Sequence, residues 1–220
     1  MTELFSIDKI FFTVLGYPMS YLEFFGVLFG LIAVALSAKA NVWSWPTGIA
    51  NVILAFFFYY QIQLYPDMFL QVFFLVTNVI GWWRWANPNP GEEDQKKELK
   101  VSRLKSNQSI LIGTLGIAAT MLVGFLASRL HHWMPSIFLL PSSFPYVDSF
   151  LLVMSIITTF LMIQKKIECW VIWIIIDVVG TVLYFVKGAK FYSVEYFVFT
   201  LLAIYGLWNW VKENRSYQTT

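Results

Sequence analysis

Apolar residues along this chain fall into long runs separated by short polar breaks, and the breaks set the elements. Reading between charges and turn residues gives seven runs, at 20–38, 43–61, 67–85, 108–128, 147–164, 168–186 and 194–211. Each approaches the roughly 20 apolar residues that a helix needs to cross a hydrocarbon core of about 30 Å. A further run over 10–22 is short and broken by Gly16 and Pro18. It reads as an interfacial helix lying along a membrane, with an eighth span as the rival. A cleaved signal peptide ahead of Ser37-Ala38-Lys39-Ala40 is a second rival. Glu3 and Asp8, with Lys9 as the only base before that run, give it the wrong polarity for a leader. The long polar segment, 87–107, opens Asn-Pro-Asn-Pro-Gly and then mixes acids with bases. It reads as a solvated connector.

Composition agrees with a membrane chain. Of 220 residues 58% are apolar and only 13% are charged, against about 25% charged in soluble domains. So much apolar surface excludes a disordered, collagen-like or nucleic-acid-binding chain. The single cysteine, Cys169, excludes an internal disulfide and a Cys-rich metal site. The adjacent His131 and His132 cannot supply spaced haem ligands. No cofactor and no metal are expected.

The net charge of +2 says less than its placement. With seven spans, Lys9, Arg129, Lys187 and Lys190 fall on one face. The other bases, including Lys39, Arg84, Lys96, Lys97, Lys100, Lys165, Lys166 and Lys212, fall on the opposite one. The excess of bases marks the cytoplasmic face, which predicts an amino terminus outside and a carboxyl terminus in the cytoplasm.

The chain also resembles itself. Laying 41–85 on 166–210 without a gap matches Trp45 with Trp170, Ile49 with Ile174, Tyr59 with Tyr184, Phe74 with Phe199, Gly81 with Gly206, Trp83 with Trp208 and Trp85 with Trp210. Both stretches close on Gly-x-Trp-x-Trp. Spans 1–3 and 5–7 are separated by a single span, so the two triplets start from the same side and form parallel repeats. Span 4, with Gly113, Gly116 and Gly124, is then an inversion linker. Such repeats are expected to hold a substrate between the triplets near mid-membrane. Two aromatic hairpins that look alike through their girdle composition are the rival.

Polar side chains inside spans are costly, roughly 2.5–3.5 kcal/mol on insertion scales, and so mark interiors or cavities. Asp177 is the deepest acid, and Trp170, Trp173, Asp177 and Tyr184 fall on one helix face. Two indoles and a carboxylate suit a flat organic cation, through stacking, cation–π attraction and countercharge. A Trp girdle with a structural Asp is the alternative. Trp45 and Asn51 offer a softer counterpart, and Asn51 aligns with Asp177 only if the repeat slips by one residue. Gln71 and Asn78 share a face of span 3, either as interhelical glue or as contacts for ligand hydroxyls. Glu195 could meet a ligand or reach water. Glu23, Asp67 and Asp148 start their helices, where acids complement the helix dipole. Ser155, Thr158 and Thr159 could line a path or satisfy their own backbone. His131, His132 and Trp133 read as an outer loop, and Pro46 as a residue that starts or bends span 2.

These residues resemble the PnuC family of bacterial vitamin transporters, relatives of the SWEET proteins. The resemblance is strongest in Gln61-Ile62-Gln63-Leu64-Tyr65-Pro66-Asp67-Met68-Phe69-Leu70-Gln71, in Gly81-Trp82-Trp83-Arg84-Trp85, in Asp148-Ser149, in 170–177 and in Ser193-Val194-Glu195-Tyr196. It implies an all-α integral membrane fold of seven helices as 3+1+3 parallel repeats, assembled as a homotrimer. It also implies uptake of nicotinamide riboside across the inner membrane without ion coupling, drawn inward when a cytoplasmic riboside kinase phosphorylates the arriving molecule. The riboside is a flat pyridinium with hydroxyls and an amide. Trp170 and Trp173 would stack it, Asp177 would oppose its charge, and Asn51, Gln71 and Asn78 would take its polar groups.

The expected organisation is an interfacial segment 1–19, a first triplet 20–86, a connector 87–107, a linker helix with an outer loop 108–146, a second triplet 147–211 and a cytoplasmic tail 212–220. Thiamine, another flat cation, is the alternative cargo. An intramembrane enzyme is the alternative function, but it lacks a second catalytic group near Asp177. A scaffold whose polar groups only glue helices is the third reading.

Overall fold

The computed structural model of the protein describes residues 6–14, 17–63, 65–134, 143–188 and 190–217, with side chains throughout except at 14, 65–67 and 190–192. Its helices sit where the apolar runs place them: α1 (Tyr21–Ala38), α2 (Ser44–Gln61), α3 (Tyr65–Ala86), α4 (Ser106–Trp133), α5 (Pro145–Ile163), α6 (Glu168–Val186) and α7 (Lys190–Ser216). Among the described residues, five stretches are both long and apolar enough to cross a membrane: α1, α4, α5, α6 and Ser193–Ser216 within α7. The other two helices, α2 and α3, carry Asn51, Gln71, Thr77 and Asn78, and these polar side chains lower their apolarity. Large apolar side chains such as Ile110, Leu115, Ile117 and Leu122 of α4 are exposed, as lipid-facing positions must be.

The segment before α1 corrects one expectation. It is not an interfacial helix but an antiparallel hairpin of β1 (Ile10–Val14) and β2 (Tyr17–Ser20). Ile10, Phe11, Phe12, Thr13 and Val14 are residues that favour extended backbone, and a run this short carries too little periodicity to reveal its type. The hairpin is tied down: Ile7 N–H donates to Gln61 Oε1 at 3.0 Å, and Phe11 packs on Tyr21 and Phe24. Helix α1 then starts on a capping box, Ser20 Oγ accepting from Glu23 N–H while the Glu23 carboxylate accepts from Ser20 N–H. The helix-starting role expected of Asp67 lies outside the described side chains.

The chain divides into two compact units, Met1–Lys100 and Val101–Thr220. In the first, α1 packs on α2 and α2 on α3; in the second, α4 packs on α5, α5 on α6 and α6 on α7. Helix α4 runs further than expected, so His131, His132 and Trp133 belong to its last turn and not to a loop. The positions of Gly116 and Gly124 let α5 approach, through Met154 and Tyr146 respectively.

Within each unit the turns are built alike. After α1, Ala40 N–H donates to Ser37 C=O and Asn41 N–H to Leu36 C=O; after α5, Lys165 N–H donates to Met162 C=O and Lys166 N–H to Leu161 C=O. Ala40 and Lys165 both hold φ at 52°. After α2, Gln63 N–H donates to Tyr60 C=O at φ 60°, and after α6, Gly188 N–H donates to Phe185 C=O at φ 78°. In the register that lays 41–85 on 166–210, these residues coincide pair by pair. Ala40, Gln63 and Lys165 adopt the left-handed conformation without a glycine's freedom, which costs about 1–2 kcal/mol each; Gly188 adopts it freely.

The connector is more structured than its charges suggest. Leu99 and Val101 are buried. Leu99 N–H donates to Trp85 C=O in the first unit, while Ser102 N–H donates to Lys165 C=O and Asn214 Nδ2 to Val101 C=O in the second. Arg84 pairs with Glu92 at 2.5 Å, and that hydrogen bond holds the Glu92 carboxyl below the usual carboxylate range.

Candidate functional site

Start with the tryptophans. At the start of α2, Trp45 lies edge-on to Trp85 (centroids 5.2 Å apart, planes at 88°), and at the start of α6, Trp170 lies edge-on to Trp210 (5.5 Å, 88°). Each indole rests where a glycine leaves room, Trp45 on Gly81 and Trp170 on Gly206. Trp170 is 1% exposed, and the indole N–H groups of Trp45 and Trp170 have no hydrogen-bond partner among the described residues. Both rings are consumed in packing their own unit. The stacking face expected of Trp170 is therefore enclosed, and Trp45 has the same structural task.

The amides of the first unit are also engaged. Asn51 Nδ2 donates to Gly26 C=O at 2.8 Å, bonding α2 to α1. Asn78 Nδ2 donates to Phe74 C=O at 2.7 Å within α3, while its Oδ1 lies over Gly48 of α2 in the space a Cβ would fill. These are the geometries of helix glue. The turns on both sides of α2 and α6 coincide when 41–85 is laid on 166–210 without a gap. Asn51 then stands opposite Ile176, and Asp177 opposite the buried Val52. Gln71 is buried in α3, and its position matches Tyr196.

The second unit is different in kind. Asp177 is 4% exposed and stands about 13 Å along α6, near the middle of a span. Its backbone carbonyl accepts from Thr181 Oγ1. Its carboxylate has no hydrogen-bond or ion-pair partner among the described residues. Trp173 is half-buried against the cluster of Leu151, Ile176 and Leu183, and so is Tyr196 of α7. Tyr196 lies over Gly180 and stacks with Tyr184 at 5.2 Å and 24°. The structure thus brings Tyr184 of α6 against Tyr196 of α7, a residue that the sequence reading did not single out, within two turns of Asp177, and packs Trp173 on the same apolar cluster. The signal for Tyr196 was present: it occupies the place of Gln71 in the repeat register.

The remaining polar groups sort simply. Thr158 and Thr159 bond the carbonyls of Met154 and Ser155 in their own helix. Ser193 Oγ donates to Thr181 C=O, fastening α7 to α6. Asp148 does start α5, and it pairs with Lys187 at 2.7 Å. No group of three or more His, Cys, Asp or Glu side chains suited to a metal ion occurs among the described residues.

A buried acid near aromatic rings, with no acid or base paired to it among the described residues, suits binding of a flat cation better than bond-making chemistry. Comparison with known proteins points the same way. A family described as "Nicotinamide mononucleotide transporter" matches residues 20–212. The nicotinamide riboside transporter PnuC of Escherichia coli (strain K12) is 31% identical over 218 residues, covering 91% of this chain and 89% of that protein. The riboflavin/roseoflavin transporter RibM of Streptomyces davaonensis is 23% identical over 194 residues, covering 86% of this chain and 84% of that protein. A crystal structure of the vitamin B3 transporter PnuC superposes with a TM-score of 0.68 at 22% identity, over 89% of this chain and 83% of that one. That likeness establishes the fold. These relatives are multi-pass membrane transporters, not enzymes, and the chain belongs to the PnuC family of nicotinamide mononucleotide/riboside transporters.

Proposed function

We propose that this chain carries nicotinamide riboside into the bacterial cell across the inner membrane by facilitated diffusion, with a cytoplasmic riboside kinase trapping the arriving molecule as its phosphate. The observation that carries the reading is Asp177, a mid-span carboxylate unpaired among the described residues and flanked by aromatic rings. Burying an acid costs several kcal/mol unless something compensates it, and a permanent pyridinium cation is a fitting counterion. Trp173 stacks the ring, Asp177 opposes its charge, and Tyr184, Tyr196 and Glu195 complete the site within the second unit. Gln71, in the first unit, has the chemistry to meet a hydroxyl or an amide. Because Trp170, Trp45, Asn51 and Asn78 already serve packing, their contribution is to hold the helices that bear these groups. No second buried acid or mid-span histidine accompanies Asp177 among the described residues, and a proton or sodium relay is normally built from such partners.

The matched turns and matched Trp–Gly–Trp contacts of the two units support a 3+1+3 arrangement, α1–α3 and α5–α7 as parallel repeats with α4 between them in the chain. The distribution of bases supports an amino terminus outside and a carboxyl terminus in the cytoplasm. The family resemblance supports a homotrimer. The test is uptake of labelled nicotinamide riboside into proteoliposomes loaded with a riboside kinase and ATP. Accumulation well above that of protein-free liposomes is expected; uptake equal to theirs would falsify the cargo. A second reading, another flat vitamin, is favoured by the resemblance to the riboflavin/roseoflavin transporter RibM. A binding screen of nicotinamide riboside, thiamine and riboflavin by Trp fluorescence separates the two.

A further inference from the structure

Seven residues beyond Asp177, about 10 Å along α6, the second unit holds another cation environment that the proposed site does not use. The Lys187 ammonium pairs with Asp148 at 2.7 Å. It also lies 5.8 Å from the ring centroids of both Phe144 and Tyr184, within cation–π range. Two rings and one carboxylate around a positive nitrogen have the make-up of a receptor for an organic cation. Here the cation is supplied by the chain itself. The two charged side chains are 31% and 39% exposed, so the box is open at its rim. Tyr184 is shared between the two environments, since it also stacks on Tyr196, which lies over Gly180 one turn from Asp177.

We propose that Phe144, Asp148 and Tyr184 form a docking subsite for a planar organic cation at the mouth of the second unit. Lys187 is its tethered occupant, displaced when such a cation arrives. The subsite rests on the transport reading above, in which this end of α6 faces outside. An exposed ammonium on a four-carbon stem leaves its partner at little cost, because surface ion pairs are weak and lysine is strongly hydrated. A pyridinium is flat, less strongly hydrated and able to stack on a ring, so it gains more from the same walls. From there the shared Tyr184 leads to the Tyr196 pair and the Asp177 carboxylate. The bland role for Lys187, bracing the end of α6 to the first turn of α5, makes different predictions.

The experiment compares uptake of cationic nicotinamide riboside and of its neutral 1,4-dihydro form in proteoliposomes of the full chain. Lys187→Met is expected to lower KM for the cation about threefold, the scale of one exposed cation–π contact, and to leave KM for the neutral form unchanged. Asp148→Asn is expected to raise KM for the cation alone, and Lys187→Arg to behave as the unaltered protein. An unchanged or raised KM for the cation in Lys187→Met overturns the subsite, and so does an equal shift for both compounds. Uptake of neither compound by the unaltered protein removes the cargo reading instead. The subsite is then read by 1-methylnicotinamide binding to purified protein, tighter in Lys187→Met and weaker in Asp148→Asn. Equal affinities there overturn it.

Discussion

The two units of this chain share their joints and differ in their middles. Trp45 on Gly81 and Trp85 repeats as Trp170 on Gly206 and Trp210, and the turns around α2 and α6 use the same hydrogen bonds. Halfway along, the equivalence breaks. Gly48 and Asn78 of the first unit fill one another's space, and the residues in their places in the second are Trp173 and Ala203. Val52 gives way to Asp177, and Gln71 to Tyr196. In the first unit the amides of Asn51 and Asn78 bond its own helices, whereas in the second the Asp177 carboxylate has no partner among the described residues. A scaffold can be duplicated faithfully while the chemistry settles in one copy, because packing constrains helix ends and a ligand constrains only the few side chains that meet it.

The most severe test of the shared joints is steric. Gly81→Val and Gly206→Val each push a side chain into an indole, and each is expected to destabilise the protein by about 3 kcal/mol, read as a lower melting temperature in detergent. Similar losses from the two sites support equivalent joints; a loss from one alone breaks the equivalence. Next in size is the divergence at mid-span. Asp177→Ala is expected to weaken binding of cationic nicotinamide riboside by about 2 kcal/mol, roughly thirtyfold, and of a neutral analogue far less. Binding titrations that find equal losses would remove the electrostatic role. The smallest effect is expected at Asn51. Asn51→Leu removes the bond to Gly26 and should cost about 1 kcal/mol of stability, with the preference for cation over neutral ligand unchanged. A changed preference would move Asn51 from glue to ligand contact.

Much of this architecture was legible in the sequence because hydrophobic run length and membrane thickness are the same measurement in different units. The helices and the depth of Asp177 along α6 both follow from it. The capping role of Glu23 was legible too, since Ser20 stands three residues before it. The hairpin at β1 and β2 was not, because five apolar residues carry no decisive period. Leu99 and Val101 were hidden by the charges around them, although an apolar pair inside a polar connector is a signal for burial. Trp170, Trp173 and Asp177 share a helix stripe, and sequence spacing cannot tell which part of that stripe a neighbouring helix covers. Gly206, about three turns before the end of α7, leaves the room that Trp170 fills.

The coincidence of the turns flanking α2 and α6 has an evolutionary side. Between Ala40 and Gln63, and again between Lys165 and Gly188, the backbone enters and leaves through the same pair of left-handed bends. Each helix between them is thus a cassette with standard fittings. Substitutions that improve recognition in one cassette can arise, or be transplanted, without redrawing the path of the chain, which leaves a small vitamin carrier free to change its cargo while keeping its frame.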